Sequence, residues 1–408
     1  MRPVTGHQQA VAALFAPPEP VPMRVPDALG LVTASDVTAP RSLPGFDNSA
    51  MDGFAVHAAD IAGAGPDHPV RLPVTADIPA GPATPVPLAP GTAARIMTGA
   101  PLPPGADAVV PVELTDAQFA AGPAPEVTIT GAVALGRHIR AAGSDIAAGD
   151  LALPAGTMIG AAQIGLLAGL GRTEVTVFRR QRVAVLSTGS ELVEPGTPLR
   201  PGQIYESNGA MLTAAATEAG ASARHLHFVP DDVPAFLARL DEIADTADLI
   251  VTSGGVSAGA FEVVKEALTQ VGGVEFVKVA MQPGMPQGCG LLTAPGGRRV
   301  PIVTVPGNPV SSLVSFELFI REPLRAAMGL PPARQRLRVR LHQAITSPPG
   351  KRQFLRGVFV GPDRAEVTPV GPPSSHHLSN LARAEALVDI PAEVTALPAG
   401  TDVEVICL

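Results

Sequence analysis

The residues best suited to chemistry in this 408-residue chain gather in short segments rich in Gly, Asp, Asn, Ser and Thr. Two are glycine-punctuated loops, residues 248–259 (DLIVTSGGVSAG) and 304–312 (TVPGNPVSS), each leaving a short apolar run rich in branched residues. Backbone amides exposed where a strand turns into a helix hold phosphates and similar anions, and glycine lets the chain approach such a ligand closely. Glycine loops also serve as plain tight turns. Two in one sheet point instead to an anion cradle, made by Ser253, Gly254, Gly255 and Ser257 on one side and Pro306, Gly307, Asn308 and Pro309 on the other.

A third segment, residues 187–191 (STGSE), places the hydroxyls of Ser187 and Thr188 beside Gly189 at a strand end, with Glu191 facing the same crevice. A helix or turn cap is its plain alternative. Residues 45–55 (GFDNSAMDGFA) concentrate Asp47, Asn48, Ser49 and Asp52. Turn chemistry alone favours these types, but Met51 and Phe54, interleaved with the polar groups of the segment, suggest a loop partly pinned against an apolar surface. In residues 95–113 (RIMTGAPLPPGADAVVPVE), Thr98 and Gly99 precede a proline-stiffened loop. A stiff loop loses less entropy when it clamps a ligand. Glu262 lies close enough to Gly254 and Gly255 to place a carboxylate by their ligand, and acids so placed can hold Mg²⁺ together with ligand phosphate oxygens. Asp231 and Asp232 are ambiguous, because an N-cap needs only one of them. Lys278 reads either as an ordinary edge-strand lysine or as an anion contact, and residues 374–379 (SSHHLS) as a polar loop or a reach toward a ligand. Two adjacent histidines are not a metal site by spacing. There is no Walker A loop, nucleophile elbow or zinc-ligand set.

These segments need elements to position them, and the pattern over residues 182–329 supplies a doubly wound α/β domain. Strands are expected at 182–187, 224–229, 249–252, 274–280 and 301–305, with helices at 208–219, 233–244, 261–271 and 310–328. Asn208 is expected to cap the first helix, and Asp231 or Asp232 the second. In open α/β sheets ligands sit outside the carboxyl ends of the strands, where the 187–191, 253–259 and 306–309 segments all fall. Residues 66–113 read as a small β-rich module, flanked by helical pieces at 7–15 and 161–170 that suggest one discontinuous domain around it. Strand patterns at 336–341, 357–360, 365–370 and 386–390 imply a separate C-terminal β-barrel or sandwich.

Composition limits the function. The chain carries a net charge of −8, 3% aromatic residues and no Trp, which argues against nucleic-acid or anionic-membrane partners, since those need a basic footprint or stacking surfaces. An anionic ligand must therefore be held by local geometry. Cys289 and Cys407 are too few for a disulfide framework, no signal-like start opens the chain, and no apolar run approaches the roughly 18 residues of a spanning helix. A cytoplasmic protein without membrane attachment is expected. At this length two to four domains are the reasonable expectation.

Taken together, residues 47–55 (DNSAMDGFA), 96–110 (IMTGAPLPPGADAVV), 187–192 (STGSEL), 253–259 (SGGVSAG) and 306–311 (PGNPVS) make the chain resemble the molybdopterin molybdenumtransferase family, the MoeA and gephyrin E-domain group. The order and spacing of these motifs cover nearly the whole chain. The resemblance implies a discontinuous N-terminal linker domain (1–44 and 140–178), an inserted β-rich module (45–139), an α/β molybdopterin-binding domain (179–329) and a C-terminal β-barrel (330–408). It implies a homodimer whose active site lies between the α/β domain of one subunit and the inserted module of the other. The implied reaction converts adenylated molybdopterin and molybdate into molybdenum cofactor and AMP, with Mg²⁺ required. Molybdopterin adenylyltransferase and apo-molybdoenzymes would be the neighbouring partners.

Carried over by position, the functional acids and hydroxyl are Asp52, Thr98, Glu191, Asp231 and Glu262, with Glu262 and Asp231 toward the metal. Lys278 and Ser375 take anion-binding positions. The chain departs from many relatives in having Glu rather than Asp at 262, and Gln282 and Met285 where basic residues are common. Lost positive charge beside an oxyanion weakens charge-assisted contacts worth about 1.5–3 kcal/mol each. An adenylyltransferase resting on the α/β domain alone would leave the 47–55 and 96–110 segments without a role, and a non-catalytic gephyrin-like scaffold is the reading from another class.

Overall fold

The computed structural model describes residues 1–81, 84–117, 124–229, 232–255 and 263–408, with backbone alone at 227–229. The chain forms two units. One comprises Pro22–Leu29 and Ser35–Val175, the other Met1–Val21, Gly30–Ala34 and Thr176–Leu408.

The first unit is built on strands Gly53–Val56 (β1), Val70–Ile78 (β2), Ala93–Ile96 (β3), Ala108–Pro111 (β4) and Glu126–Ile129 (β5), hydrogen-bonded in the order β4-β1-β3-β2-β5. Proline and glycine punctuation keeps the connections tight, and alternation sorts the side chains into two apolar clusters. Phe54, Val56, Leu72, Val110 and Ile129 belong to one; Ala55, Ile78, Ile96 and Val109 belong to the other. Gly53 opens β1 so close to β4 that a Cβ there would lie 1.9 Å from the Val110 carbonyl oxygen. Any side chain at 53 would push β1 away and carry Asp52 with it.

In the second unit, the α/β sheet contains Arg182–Thr188 (β6), Ser222–Val229 (β7), Leu249–Ser253 (β8), Val274–Lys278 (β9), Pro286–Thr293 (β10) and Arg299–Val305 (β11). Their order is β7-β6-β8-β11-β10-β9. The first four run parallel, and β10 is antiparallel to both its neighbours. Sheets buried on both faces read as continuous apolar runs, as β6, β8 and β11 do. One face packs Val183, Val185, Leu249, Val251 and Val303 with Leu212 of the helix Asn208–Glu218 (α1). The other packs Leu186, Ile250 and Ile302 with Phe236, Leu240 and Ile243 of Val233–Ala244 (α2) and Leu268 of Val263–Val271 (α3). Each such fully buried side chain contributes roughly 1.5–3 kcal/mol.

Three details differ from the sequence expectation. Asn208 does not cap α1; it is the first helical residue, and its side chain is drawn sideways to two loops. Asp232 does cap α2, accepting from the Ala235 N–H at 2.8 Å. The helix expected over 310–328 is instead Pro309–Ser315 (α4), a π turn at Phe316–Ile320 and a second helix Arg321–Ala326 (α5). Strand β10 was not expected at all. Its Gly288 and Gly290 break the apolar pattern because there is no room for more: a Cβ at Gly290 would sit 2.0 Å from the Gly273 carbonyl oxygen.

The C-terminal strands Arg336–Leu341 (β12), Arg352–Val360 (β13), Glu366–Pro369 (β14), Ala386–Ile390 (β15) and Asp402–Cys407 (β16) close into a five-stranded barrel, β13-β14-β12-β16-β15 and back to β13. Val339, Leu341, Val367, Val388, Val403 and Val405 fill it. Met281–Gln282, in the turn after β9, pairs in parallel with the start of β13, and Gln353 Nε2 donates to Gln282 Oε1 at 3.0 Å. This rung fastens the barrel to the carboxyl-end side of the α/β sheet. Among the described residues, no helix is long and apolar enough to cross a membrane.

Candidate active site

A cavity of about 920 Å³ opens where β6, β8 and β11 end, between the α/β sheet and the barrel. That is the place where open α/β sheets bind ligands, and the volume suits a ligand of nucleotide size or larger. Its floor is the pair of glycine loops. Gly254 and Gly255 adopt φ of +96° and +64°, which only glycine takes without strain. A Cβ at Gly254 would fall 2.8 Å from the Thr188 carbonyl oxygen, so the loop after β8 lies directly on the end of β6. The second loop meets the first glycine to glycine, with the position of a Cβ on Gly307 only 3.4 Å from Gly254 Cα.

Asn208 ties the two loops together. Its Nδ2 donates to Ser253 Oγ at 2.9 Å and to the Gly307 carbonyl oxygen at 2.6 Å. Ser312, on α4, donates to the Pro306 carbonyl oxygen and touches Ser253 Oγ at 3.3 Å. With its amide hydrogens spent, Asn208 keeps Oδ1 as an acceptor that no described group satisfies; Thr188 Oγ1 is also buried without a partner. Buried polar atoms left open at a cavity are where a ligand's hydrogen bonds belong.

The sequence-predicted residues Ser187, Thr188, Gly189, Glu191, Ser253, Gly254, Gly255, Pro306, Gly307, Asn308, Pro309 and Ser375 all line this cavity. Glu191 folds back over Gly189, whose Cβ, were there one, would be 2.6 Å from Glu191 Oε2. Ser375 arrives from the barrel side, where its carbonyl oxygen accepts the Val310 N–H at 3.1 Å. The segment carrying Ser375 is shaped by Arg356, buried and, among the described residues, free of a carboxylate partner, which donates to the carbonyl oxygens of Ser374 and Pro372. Burial lowers the pKa of that guanidinium. Ser257, Asp231 and Glu262 lie outside the described residues.

Lys278 is exposed at the end of β9 and does not line the cavity. The wall holds Lys351 instead, the one lysine or arginine among its described residues, together with Gln282, Met285 and His376. Lys351 precedes β13 and Gln282 pairs beside it. Sequence reasoning missed Lys351 because nothing local to residues 349–353 says that the barrel turns that corner inward. It also missed Glu206, a buried carboxylate in the wall. In the other unit, Asp52 and Thr98 are joined: Asp52 Oδ1 accepts the Thr98 N–H at 2.7 Å and its hydroxyl at 2.9 Å. These two bonds hold the Asp52 carboxyl below the usual range.

Three family models match along the chain in order. They are the MoeA N-terminal region (domains I and II) at residues 2–171, the probable molybdopterin binding domain at 184–326 and the MoeA C-terminal region (domain IV) at 338–408. The chain is 53% identical over 412 residues to molybdopterin molybdenumtransferase 2 of Mycobacterium tuberculosis, covering 99% of both. It belongs to the molybdopterin molybdenumtransferase family. The family relationship extends to the Bacillus subtilis molybdopterin molybdenumtransferase, 34% identical over 94% of this chain and 88% of that one. The fold matches the MoeA molybdopterin biosynthesis protein from Pyrococcus horikoshii with a TM-score of 0.81 at 32% identity, covering 99% of this chain and 98% of that one. As a molybdenumtransferase-family chain it has the family's α/β domain and a closed C-terminal barrel, and its cavity lies within the segments matched by the molybdopterin binding domain and adjoining barrel residues.

Proposed function

We propose that this chain completes molybdenum cofactor synthesis: adenylated molybdopterin and molybdate enter, and molybdenum cofactor and AMP leave. The observation that carries the reading is the cavity at the strand ends, floored by two abutting glycine loops and walled by Glu191, Lys351 and Ser375. The loops offer close backbone approach to the phosphate and pterin portions of the ligand. The Lys351 ammonium and the Ser375 hydroxyl would hold the molybdate oxyanion, in a wall where Gln282 and Met285 contribute no charge. The dithiolene sulfurs that receive the metal come from the ligand.

Mg²⁺ takes one or two carboxylates and fills its shell with phosphate oxygens and water. Glu191 at the cavity wall fits that demand, and Asp231 and Glu262 are the family positions that would join it. When bound, Mg²⁺ would neutralise charge on the phosphoanhydride. The protein's own part is to seat the ligand, exclude competing water and present oxyanion and phosphate side by side.

Asp52 and Thr98 form a hydrogen-bonded pair in the inserted module. We assign them to completing the cavity of a second copy, in a cytoplasmic homodimer that receives its ligand from an adenylyltransferase and passes its product to apo-molybdoenzymes. The four-domain division drawn above belongs to the same reading. The test is reactivation of an apo-molybdoenzyme by purified protein given adenylated molybdopterin, molybdate and Mg²⁺. Reactivation supports the assignment. ATP consumption with free molybdopterin would replace it with an adenylyltransferase.

A further inference from the structure

Glu206 has no role in the reading above, yet it is only 5% exposed and lies in the cavity wall. One carboxylate oxygen, Oε1, accepts the Ser187 hydroxyl at 2.8 Å and the Gly209 N–H, in the first turn of α1, at 2.6 Å. The other, Oε2, stands 3.8 Å from His225 Nε2. That ring nitrogen is buried without a hydrogen-bond partner among the described residues. The ring fills the space a side chain at Gly209 would need, since a Cβ there would be 2.1 Å from Nε2. The ion pairs among the described residues give Glu206 no lysine or arginine.

Counting protons decides what this corner offers a ligand. A hydroxyl has one proton, and a carboxylate only accepts. Ser187, a lining residue, therefore gives its proton to Glu206 and keeps only lone pairs for any further partner. Asn208 is fixed in the same sense, with both amide hydrogens given to Ser253 and Gly307 and Oδ1 left open. Two neighbouring wall residues thus have only acceptor capacity left. We propose that Glu206 is a positioning residue: it locks Ser187 as an acceptor, so this end of the cavity reads paired N–H or O–H donors on the substrate. Adenylated molybdopterin has two such sources, the aminopyrimidine edge of the pterin and the ribose diol. A site built to bond such donors rejects ligands lacking them. This inference rests on the functional reading above.

The test compares wild type with Ser187→Ala, Glu206→Gln, Glu206→Leu and the Ser187→Ala/Glu206→Leu double variant, measuring kcat and KM for adenylated molybdopterin. Losing one hydrogen bond is worth about fivefold in KM, expected for Ser187→Ala with kcat within about twofold. Glu206→Leu frees the hydroxyl proton to face the cavity and should raise KM by about tenfold. Glu206→Gln keeps an oxygen that accepts both hydrogens and should restore near-normal KM. The double variant should be no worse than Glu206→Leu alone. Binding of AMP and of 2′,3′-dideoxy-AMP by calorimetry assigns the source. If the diol is read, Ser187→Ala weakens AMP but not the dideoxy analogue. If the pterin is read, neither changes while the substrate KM still rises. Unchanged KM in Ser187→Ala, which leaves the Gly209 bond intact, overturns the inference, as does a Glu206→Gln protein as impaired as Glu206→Leu. A wild-type protein that releases no AMP overturns the functional reading beneath it; an active wild type with either of those variant results overturns this inference alone.

Discussion

Asn208 Nδ2 donates to the Gly307 carbonyl oxygen at 2.6 Å, and with its second hydrogen to Ser253 Oγ at 2.9 Å, so one side chain clamps both glycine loops. Asn208→Ala removes both bonds and leaves the loops free to part. The expected result is a KM for adenylated molybdopterin raised about tenfold or more. The loss of Tm should be small, because α1 keeps its apolar contacts. Steady-state kinetics beside a thermal melt separates the two effects.

Asp52 owes its depressed pKa to Thr98, backbone N–H first and hydroxyl second. Thr98→Val deletes the hydroxyl bond and keeps the backbone one. The Asp52 pKa should move up toward, without reaching, its ordinary 3.8. Carboxyl ¹³C shifts followed through an acid titration measure this directly. The sign follows from linkage: a lowered carboxyl pKa favours the fold above the ordinary value and loses that contribution as pH falls. The variant should therefore be the less acid-sensitive of the two.

His7 is fully buried against Phe319, ring centroids 4.6 Å apart in an edge-on contact, and both its nitrogens lack partners among the described residues. Burial, with a smaller push from Arg2, lowers its pKa from 6.5 to about 4. The folded state thus keeps His7 neutral while the unfolded chain takes up a proton below 6.5. Stability is full above that pH and falls as pH drops toward 4, by roughly 3 kcal/mol over the window. Denaturant melts at pH 7.5 and 4.5 should show this loss in wild type, and a smaller one in His7→Phe.

Asp248 gathers Arg179, Arg182 and Arg298 at the opposite, amino end of the sheet. Burial pushes its carboxyl up, but Arg182 and Arg179 outweigh that and hold it well below the ordinary range. Asp248→Ala leaves three guanidiniums without their shared partner. The expected cost is roughly 2–3 kcal/mol, less than for a fully buried pair because Arg182 and Arg298 are partly in water. KM should not change, since none of these groups touches the cavity.

Much of this was legible in the sequence where local pattern and tertiary demand agree. The α2 helix, with its apolar stripe at Phe236, Leu240 and Ile243, and the β12 and β15 strands run over the residues expected. The glycine loops were readable because Gly254 and Gly307 owe their identity to backbone approach, which leaves a mark in composition. What escaped depends on distant contacts. Strand β10 was hidden by Gly288 and Gly290, which are small to admit Phe276 and the Gly273 carbonyl. Asn208 reads as a helix cap until Gly307, 99 residues away, takes its hydrogen. Lys351 and Glu206 carry charge in segments whose direction only the closed barrel and the seated His225 decide.

If the cavity joins molybdate to adenylated molybdopterin, AMP release from purified wild-type protein depends on molybdate. Quantifying AMP with and without molybdate should give molybdate-dependent release, one AMP per molybdenum cofactor formed, with loss of molybdate saturation in Lys351→Gln. AMP release indifferent to molybdate, or no release at all, would contradict that reading.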